Sequence, residues 1–312
     1  MWPPSSGRTL PQVDRMPELP ASHARQDRYG FLEWRMLPAA GWDEYWDRIY
    51  VPEQTKRRLF NYARFTLTRR KTFSLVGLPV HGIALLRGKP GTGKSSLVRG
   101  LAQRLVEEVF DGELLFAEVN AHALPSQMLG DSQRNTANLF ERALPELAEK
   151  GHPMVVLIDE IDSIATDRDR ASTGTDPVDV VRATEAALQG LDHLAASAPN
   201  MVIFATSNFP QAIDPAFSSR LDVTFELDLP DTTTTARILR DALEEVGTDM
   251  DEASQLRAAA ALGGMSGRDV RKLVFEAVVS RDSSISIDAP LQDKELWSAI
   301  DARATTASVD VK

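Results

Sequence analysis

Two short stretches hold the residues best suited to chemistry. The octapeptide Gly88-Lys89-Pro90-Gly91-Thr92-Gly93-Lys94-Ser95 follows an apolar run from Gly82 to Arg87, and Ser96 then opens a helical segment that reaches Val109. This spacing, in this context, fits a phosphate-binding loop. Glycines let the backbone curl so that successive N–H groups face a phosphate. The helix N-terminus adds its dipole, Lys94 adds a point charge, and Ser95 adds a hydroxyl for magnesium. The second stretch, Val155-Val156-Leu157-Ile158-Asp159-Glu160, reads as a buried strand ending in two carboxylates. Asp159 is placed to hold the magnesium shell, and Glu160 to polarise a water against a γ-phosphate. Together the two stretches predict binding and hydrolysis of a nucleoside triphosphate.

Three further positions extend the site. Ala205-Thr206-Ser207-Asn208 ends an apolar strand, which puts Asn208 beside the carboxylates, able to orient the attacking water or sense the γ-phosphate. The competing reading of Asn208 is a cap on the next turn. Asp214-Pro215-Ala216-Phe217-Ser218-Ser219-Arg220-Leu221-Asp222 presents Arg220 after a short helix. An arginine reaching across from a neighbouring subunit stabilises the spread charge of a phosphoryl-transfer transition state. Met265-Ser266-Gly267-Arg268-Asp269 opens a C-terminal helix with Arg268 placed to reach the phosphates.

The elements that must position these residues alternate in type. Ile83–Leu86, Leu114–Val119, Met154–Ile158, Met201–Thr206 and Val223–Leu227 are apolar strand candidates with helical segments between them. Near-continuous apolar strands in that pattern predict an α/β fold, a five-stranded parallel sheet covered by helices on both faces. After Pro230 the pattern turns helical, apart from a short β-like Ile285-Ser286-Ile287, and predicts a smaller lid domain over 230–312. The large domain is expected over 41–229. Residues 1–40 are rich in proline and read as a partly disordered tail. Pro145 predicts a kink or break in the helical segment around Leu139–Lys150. The helix predicted over Glu53–Arg70 is basic, with Lys56, Arg57, Arg58, Arg64, Arg69 and Arg70, and Lys71 follows it. It reads as a solvated face over Leu59, Tyr62 and Phe65, with a nucleic-acid surface as the alternative.

At 312 residues the chain can bury one large domain and a small one. Its net charge of −10 argues against a nucleic-acid grip over the whole surface. Without cysteine there is no disulfide, zinc-thiolate or thiol nucleophile. The N-terminus has no apolar run suited to a signal peptide, and no stretch approaches the roughly 20 apolar residues of a membrane span. The expected location is the cytoplasm, away from membranes.

From about Trp46 to about Arg303, these motifs together resemble the AAA+ ATPases. The resemblance implies ATP with Mg²⁺ at the junctions of a homo-hexameric ring that pulls on a protein through a central pore. It also implies that Arg268 acts on the nucleotide of its own subunit. Three features narrow it: an arginine at the lid position in Ser266-Gly267-Arg268, a single Arg220 before Leu221-Asp222, and Gly174-Thr175-Asp176-Pro177-Val178-Asp179-Val180-Val181-Arg182. With Asn120-Ala121-His122-Ala123-Leu124 and Thr206-Ser207-Asn208, they look like the pachytene-checkpoint family, which remodels HORMA-domain proteins.

Two departures from that family matter. Its eukaryotic members carry a folded N-terminal substrate-recognition domain, whereas only about 80 residues precede the first core strand here. The short front end resembles bacterial relatives of antiphage operons, which separate a HORMA protein from a second-messenger nucleotidyltransferase and keep the defence off. Where family members place an aromatic pair in the pore, this chain offers Met128 and Leu129. Other readings are a DNA-associated clamp loader or transposition helper, an unfoldase serving a separate protease, and a nucleotide-dependent scaffold.

Overall fold

A computed structural model describes residues 31–73, 77, 79–110, 112–124, 131–165, 177–282, 285–286 and 289–309. Six strands form one sheet: β1 (Phe31–Leu37), β2 (Ile83–Arg87), β3 (Leu114–Asn120), β4 (Met154–Asp159), β5 (Met201–Ser207) and β6 (Val223–Glu226). Their spatial order is β1-β3-β4-β5-β2-β6. The five strands from β3 to β6 pair in parallel, as the alternating pattern predicted. The sixth departs from the expectation of a tail up to residue 40. β1 pairs antiparallel with β3, from Phe31 opposite Val119 to Leu37 opposite Leu114. Without it the outer edge of β3 would present unpaired backbone groups.

Alternation along the strands divides the core between two faces. Ile83 and Leu85 join one cluster with Met154, Val156 and Ile158; Ala84 and Leu86 join the other with Val155 and Leu157. The second face is covered by α1 (Asp43–Arg48), α2 (Glu53–Arg69) and α3 (Lys94–Glu108). On the first, α4 (Asp131–Asn138) packs on the neighbouring helix α6 (Pro177–Ser197), while α5 (Leu144–Ala148) and α6 cover the strands. A π turn, Leu139–Ala143, joins α4 to α5 just ahead of Pro145. An α-helical path would press the proline ring on the carbonyl four residues back. The wider turn takes up that conflict without breaking the helix.

A short helix, α7 (Pro215–Ser218), precedes Arg220. Beyond β6, α8 (Thr232–Glu245), α9 (Glu252–Ala261), α10 (Gly267–Val279) and α11 (Asp293–Val309) enclose a separate core around Leu239, Leu273 and Leu296. Asp231, Asp251 and Ser266 cap the first three of these helices. The β-like Ile285-Ser286-Ile287 is no strand at its described residues: the Ile285 N–H closes a turn onto the Asp282 carbonyl, and Ile287 lies outside them.

The basic helix α2 is only partly a solvated face. Lys56 and Arg70 are buried. Lys56 Nζ donates to the Trp46 carbonyl, and Arg70 donates to the Met201 and Ala195 carbonyls. Phe65, expected beneath the face, is instead exposed and stacked on Phe73. Nearby, Asp222 anchors the start of β2. Its carboxylate accepts from the backbone N–H groups of His81, Gly82 and Ile83 and from Tyr62 Oη at 2.8 Å. Burial, followed by Asp222 itself, pushes the Tyr62 phenol well up. Asp222→Ala strands these donors and is expected to cost about 3 kcal/mol of stability. Urea unfolding checks this, and an unchanged midpoint would contradict it.

Candidate active site

The phosphate loop is framed by its own contacts. Gly91 and Gly93 adopt φ of +79° and +92°, a conformation glycine takes without strain. A Cβ on Gly91 would also lie 2.2 Å from Ser266 Oγ, so the loop and the lid helix approach as closely as glycine permits. Thr92 Oγ1 donates to the Lys89 carbonyl at 2.9 Å. Lys94 Nζ donates to the carbonyls of Gly88 (2.8 Å) and Lys89 (3.1 Å) and to Asn208 Oδ1 (2.7 Å). Burial pushes the Lys94 ammonium down, opposed by Asp159 and Glu160.

The carboxylates stand at the end of β4. Ser95 Oγ donates to Asp159 Oδ1 at 2.7 Å, and Thr206 Oγ1 donates to the same oxygen. Glu160 turns sharply out of the strand with φ +55°, an uncommon value for a residue with a Cβ. Its N–H donates to Thr206 Oγ1 at 3.0 Å, which ties the turn to β5. Its side chain is held on both oxygens: Asn208 Nδ2 donates to Oε1 at 3.0 Å, and His122 Nε2 pairs with Oε2. Asn208 thus accepts from the lysine and donates to the glutamate, joining loop and carboxylate through one amide.

Pro90, Gly91, Gly93, Lys94, Ser95, Ser96, Asp159, Glu160, Asn208 and Arg268 line a single cavity of about 250 Å³. The lid enters through α10, whose Arg268 N–H donates to the Gly91 carbonyl at 3.3 Å while the side chain stays exposed. A second cavity, about 410 Å³, shares Gly91, Gly93, Ser96 and Arg268 and extends to Tyr45 and Ile49. A larger one, about 860 Å³, lies in the lid between α10 and α11, far from the carboxylates. Of these three cavities, only the first is lined by Lys94, Asp159 and Glu160.

One predicted position stands apart. Arg220 does not line the cavity; its guanidinium grips Asp192 of α6 through two bonds of 2.7 Å. That hydrogen bond is the main cause of its raised pKa. Met128 and Leu129 lie outside the described residues. Three neighbours were not singled out from sequence. Thr206 and His122 meet the carboxylates only because β3, β4 and β5 lie side by side. Arg99 lines the cavity one turn beyond Ser95 and pairs with buried Glu118 at 2.6 Å.

The donor set suits a small hard cation. Ser95 and Asp159 offer oxygens, and no group of three or more His, Cys, Asp or Glu residues among those described could cage a metal. Magnesium binds in this way, through one or two protein oxygens completed by water and phosphate. No described helix is long and apolar enough to cross a membrane.

Comparison with known proteins bears on this geometry. The model of the ATPase family associated with various cellular activities (AAA) matches residues 84–229. CD-NTase-associated protein 6 of Pseudomonas aeruginosa is 38% identical over 293 residues, 91% of this chain and 95% of that protein. Pachytene checkpoint protein 2 homolog of Arabidopsis thaliana is 37% identical over 219 residues, 69% of this chain and 46% of that protein. The chain therefore spans about half the length of the plant relative. Among solved structures, a chain of the E. coli MS115-1 HORMA:CdnC:Trip13 complex superposes with a TM-score of 0.75 at 15% identity, over 88% of this chain and 96% of its own. C. elegans PCH-2 superposes with a TM-score of 0.72 at 23% identity, over 88% and 76%. At those identities the superpositions show a shared fold.

Proposed function

The chain belongs to the AAA ATPases, in their pachytene-checkpoint branch, and from that premise we propose that it is a hexameric motor that uses ATP to open or disassemble a HORMA-domain protein complex. Its nucleotide-binding and ATPase character follow from the family. The substrate, the ring and the residue roles are our proposal. The CD-NTase-associated relative of nearly equal length and the solved HORMA:CdnC:Trip13 complex support extending the proposal to a HORMA protein bound to a nucleotidyltransferase, with the motor acting as a negative regulator of antiphage signalling. The observation that carries the reading is that likeness, which runs almost end to end in both chains, and a cavity lined by Lys94, Ser95, Asp159, Glu160 and Asn208 supports it.

Each residue has a role in this reading. The backbone of Gly88–Ser95, with Ser96 behind it, cradles the phosphates, and Lys94 leaves the Gly88 and Lys89 carbonyls for a phosphate oxygen. Ser95 and Asp159 would hold Mg²⁺, which when bound neutralises charge on the phosphates. Glu160 accepts the proton of the attacking water, and Asn208 fixes that carboxylate against the γ-phosphate. Arg268 binds phosphate from the lid of the same subunit. Arg220 exchanges Asp192 for a neighbour's γ-phosphate, where transition-state charge develops.

A capture experiment tests the partner. Glu160→Gln protein with ATP is expected to hold a purified closed HORMA–peptide complex in a stable ring, and to lose it with ADP. Equal retention with either nucleotide, or none with ATP, would count against the partner. Salt-dependent retention on DNA would favour the DNA-associated reading instead.

A further inference from the structure

We propose that Thr206 is a positioning residue for hydrolysis: its one hydroxyl sets both Asp159 and the turn that carries Glu160, so that the two carboxylates take their places from β5. The inference rests on the roles given above to Asp159 and Glu160, and it adds the group that fixes one relative to the other.

Register and alternation bring the three residues together. β4 and β5 pair in parallel with Ile158 opposite Ala205, so Asp159 and Thr206 are the next residues on neighbouring strands. Val155 and Leu157 of β4 pack on the sheet face that α3 covers, as do Val202 and Phe204 of β5. Side chains alternate along a strand, so Asp159 and Thr206 fall on that same face, where α3 begins with Lys94 and Ser95. Thr206 is fully buried there, on a strand between β4 and β2. A β-branched residue suits such a strand, and valine would suit it as well. What threonine adds is one donor and two lone pairs.

The hydroxyl accepts from the Glu160 N–H at 3.0 Å and donates to Asp159 Oδ1. Accepting polarises the O–H and strengthens the bond it donates. Ser95 Oγ donates to the same Oδ1 at 2.7 Å, and among the described residues these two are the donors to this carboxylate. Two donors on one oxygen fix the carboxylate and leave Oδ2 for the metal shell. At Glu160 the chain leaves the sheet with φ +55°. Residues with a Cβ adopt that conformation rarely, and a buried N–H without an acceptor would add to its cost. Thr206 supplies the acceptor. The hydroxyl that orients the metal ligand thus also holds the turn from which the general base projects. Thr206 stands in the wall of the nucleotide cavity with its donor already engaged, so it acts through the two carboxylates.

Thr206→Val keeps the shape of the side chain and removes the hydroxyl, whereas Thr206→Ser keeps the hydroxyl. Three readouts on the full chain test the proposal: binding of a fluorescent ATP analogue with Mg²⁺ and with EDTA, hydrogen exchange at the end of β4 without nucleotide, and steady-state hydrolysis. For Thr206→Val, affinity in EDTA is expected to match the parent. The gain on adding Mg²⁺ should shrink by about 10- to 100-fold, the range for lost outer partners of metal ligands, and turnover should fall with it. Exchange at the Glu160 amide should quicken by about tenfold, the scale of one lost hydrogen bond. Thr206→Ser should recover most of each loss. If Thr206→Val does not fold, Thr206→Cys, with only a weak donor, carries the same expectations. A hydroxyl-free variant that matches the parent in Mg²⁺-dependent binding and in exchange overturns the proposal. Equal weakening with Mg²⁺ and with EDTA, or a loss that Thr206→Ser shares in full, overturns it as well, because either marks packing and not the hydroxyl. A parent-like rate in Glu160→Gln protein would sink the underlying roles themselves.

Discussion

Glu160→Gln protein is expected to bind ATP as the parent does, and to assemble, while turnover falls by about 10² to 10⁴, the scale of a lost general base. An amide keeps the volume of the side chain and an acceptor for Asn208 Nδ2, which donates to Glu160 Oε1 at 3.0 Å. It cannot take a proton from water. Lys94→Ala differs in kind, because it removes the ammonium that reaches Gly88, Lys89 and Asn208 and so weakens nucleotide binding itself. Calorimetric titration beside a phosphate-release assay separates the two. Glu160→Gln protein that hydrolyses ATP at the parent rate would remove Glu160 from the chemistry.

Arg220→Ala is expected to lower turnover by about 10³ to 10⁵, the range for loss of an arginine finger. Within one subunit Arg220 is tied to Asp192 and stands away from the cavity, so its effect must arise at a junction. Mixing Arg220→Ala with Lys94→Ala subunits places an intact loop against an intact finger at some junctions, and part of the activity should return. Arg268→Ala should also slow hydrolysis, by about tenfold for one lost charge-assisted contact. Mixing should not correct it, since Arg268 meets the Gly91 loop of its own chain. Steady-state ATPase rates across mixing ratios check both. No recovery in subunits shown to co-assemble would contradict action across the junction.

Legibility followed contiguity. The octapeptide and the strand ending in Asp159-Glu160 carry their chemistry in unbroken runs, and alternating apolar strands made the parallel sheet readable. What sequence could not show depends on distant backbone. β1 pairs with the open edge of β3, and its local signal, the alternation Leu32-Glu33-Trp34-Arg35-Met36, sits inside a segment whose prolines read as a tail. Lys56 and Arg70 look like surface charges until the Trp46, Ala195 and Met201 carbonyls close on them. Pro145 signalled a conflict in the helix, but the remedy, a π turn, lies in the residues before it. Asn208 was placed by its strand end. His122 needed the turn after β3 to bring its ring to Glu160.

The most direct measurement follows a purified HORMA protein closed on a fluorescent peptide, mixed with this chain and ATP, by anisotropy. The peptide should leave intact, at a rate that depends on ATP and vanishes in Glu160→Gln protein, and the HORMA protein should keep its full mass. Release at the same rate by Glu160→Gln protein, or no release by the parent, would contradict an ATP-driven remodeller.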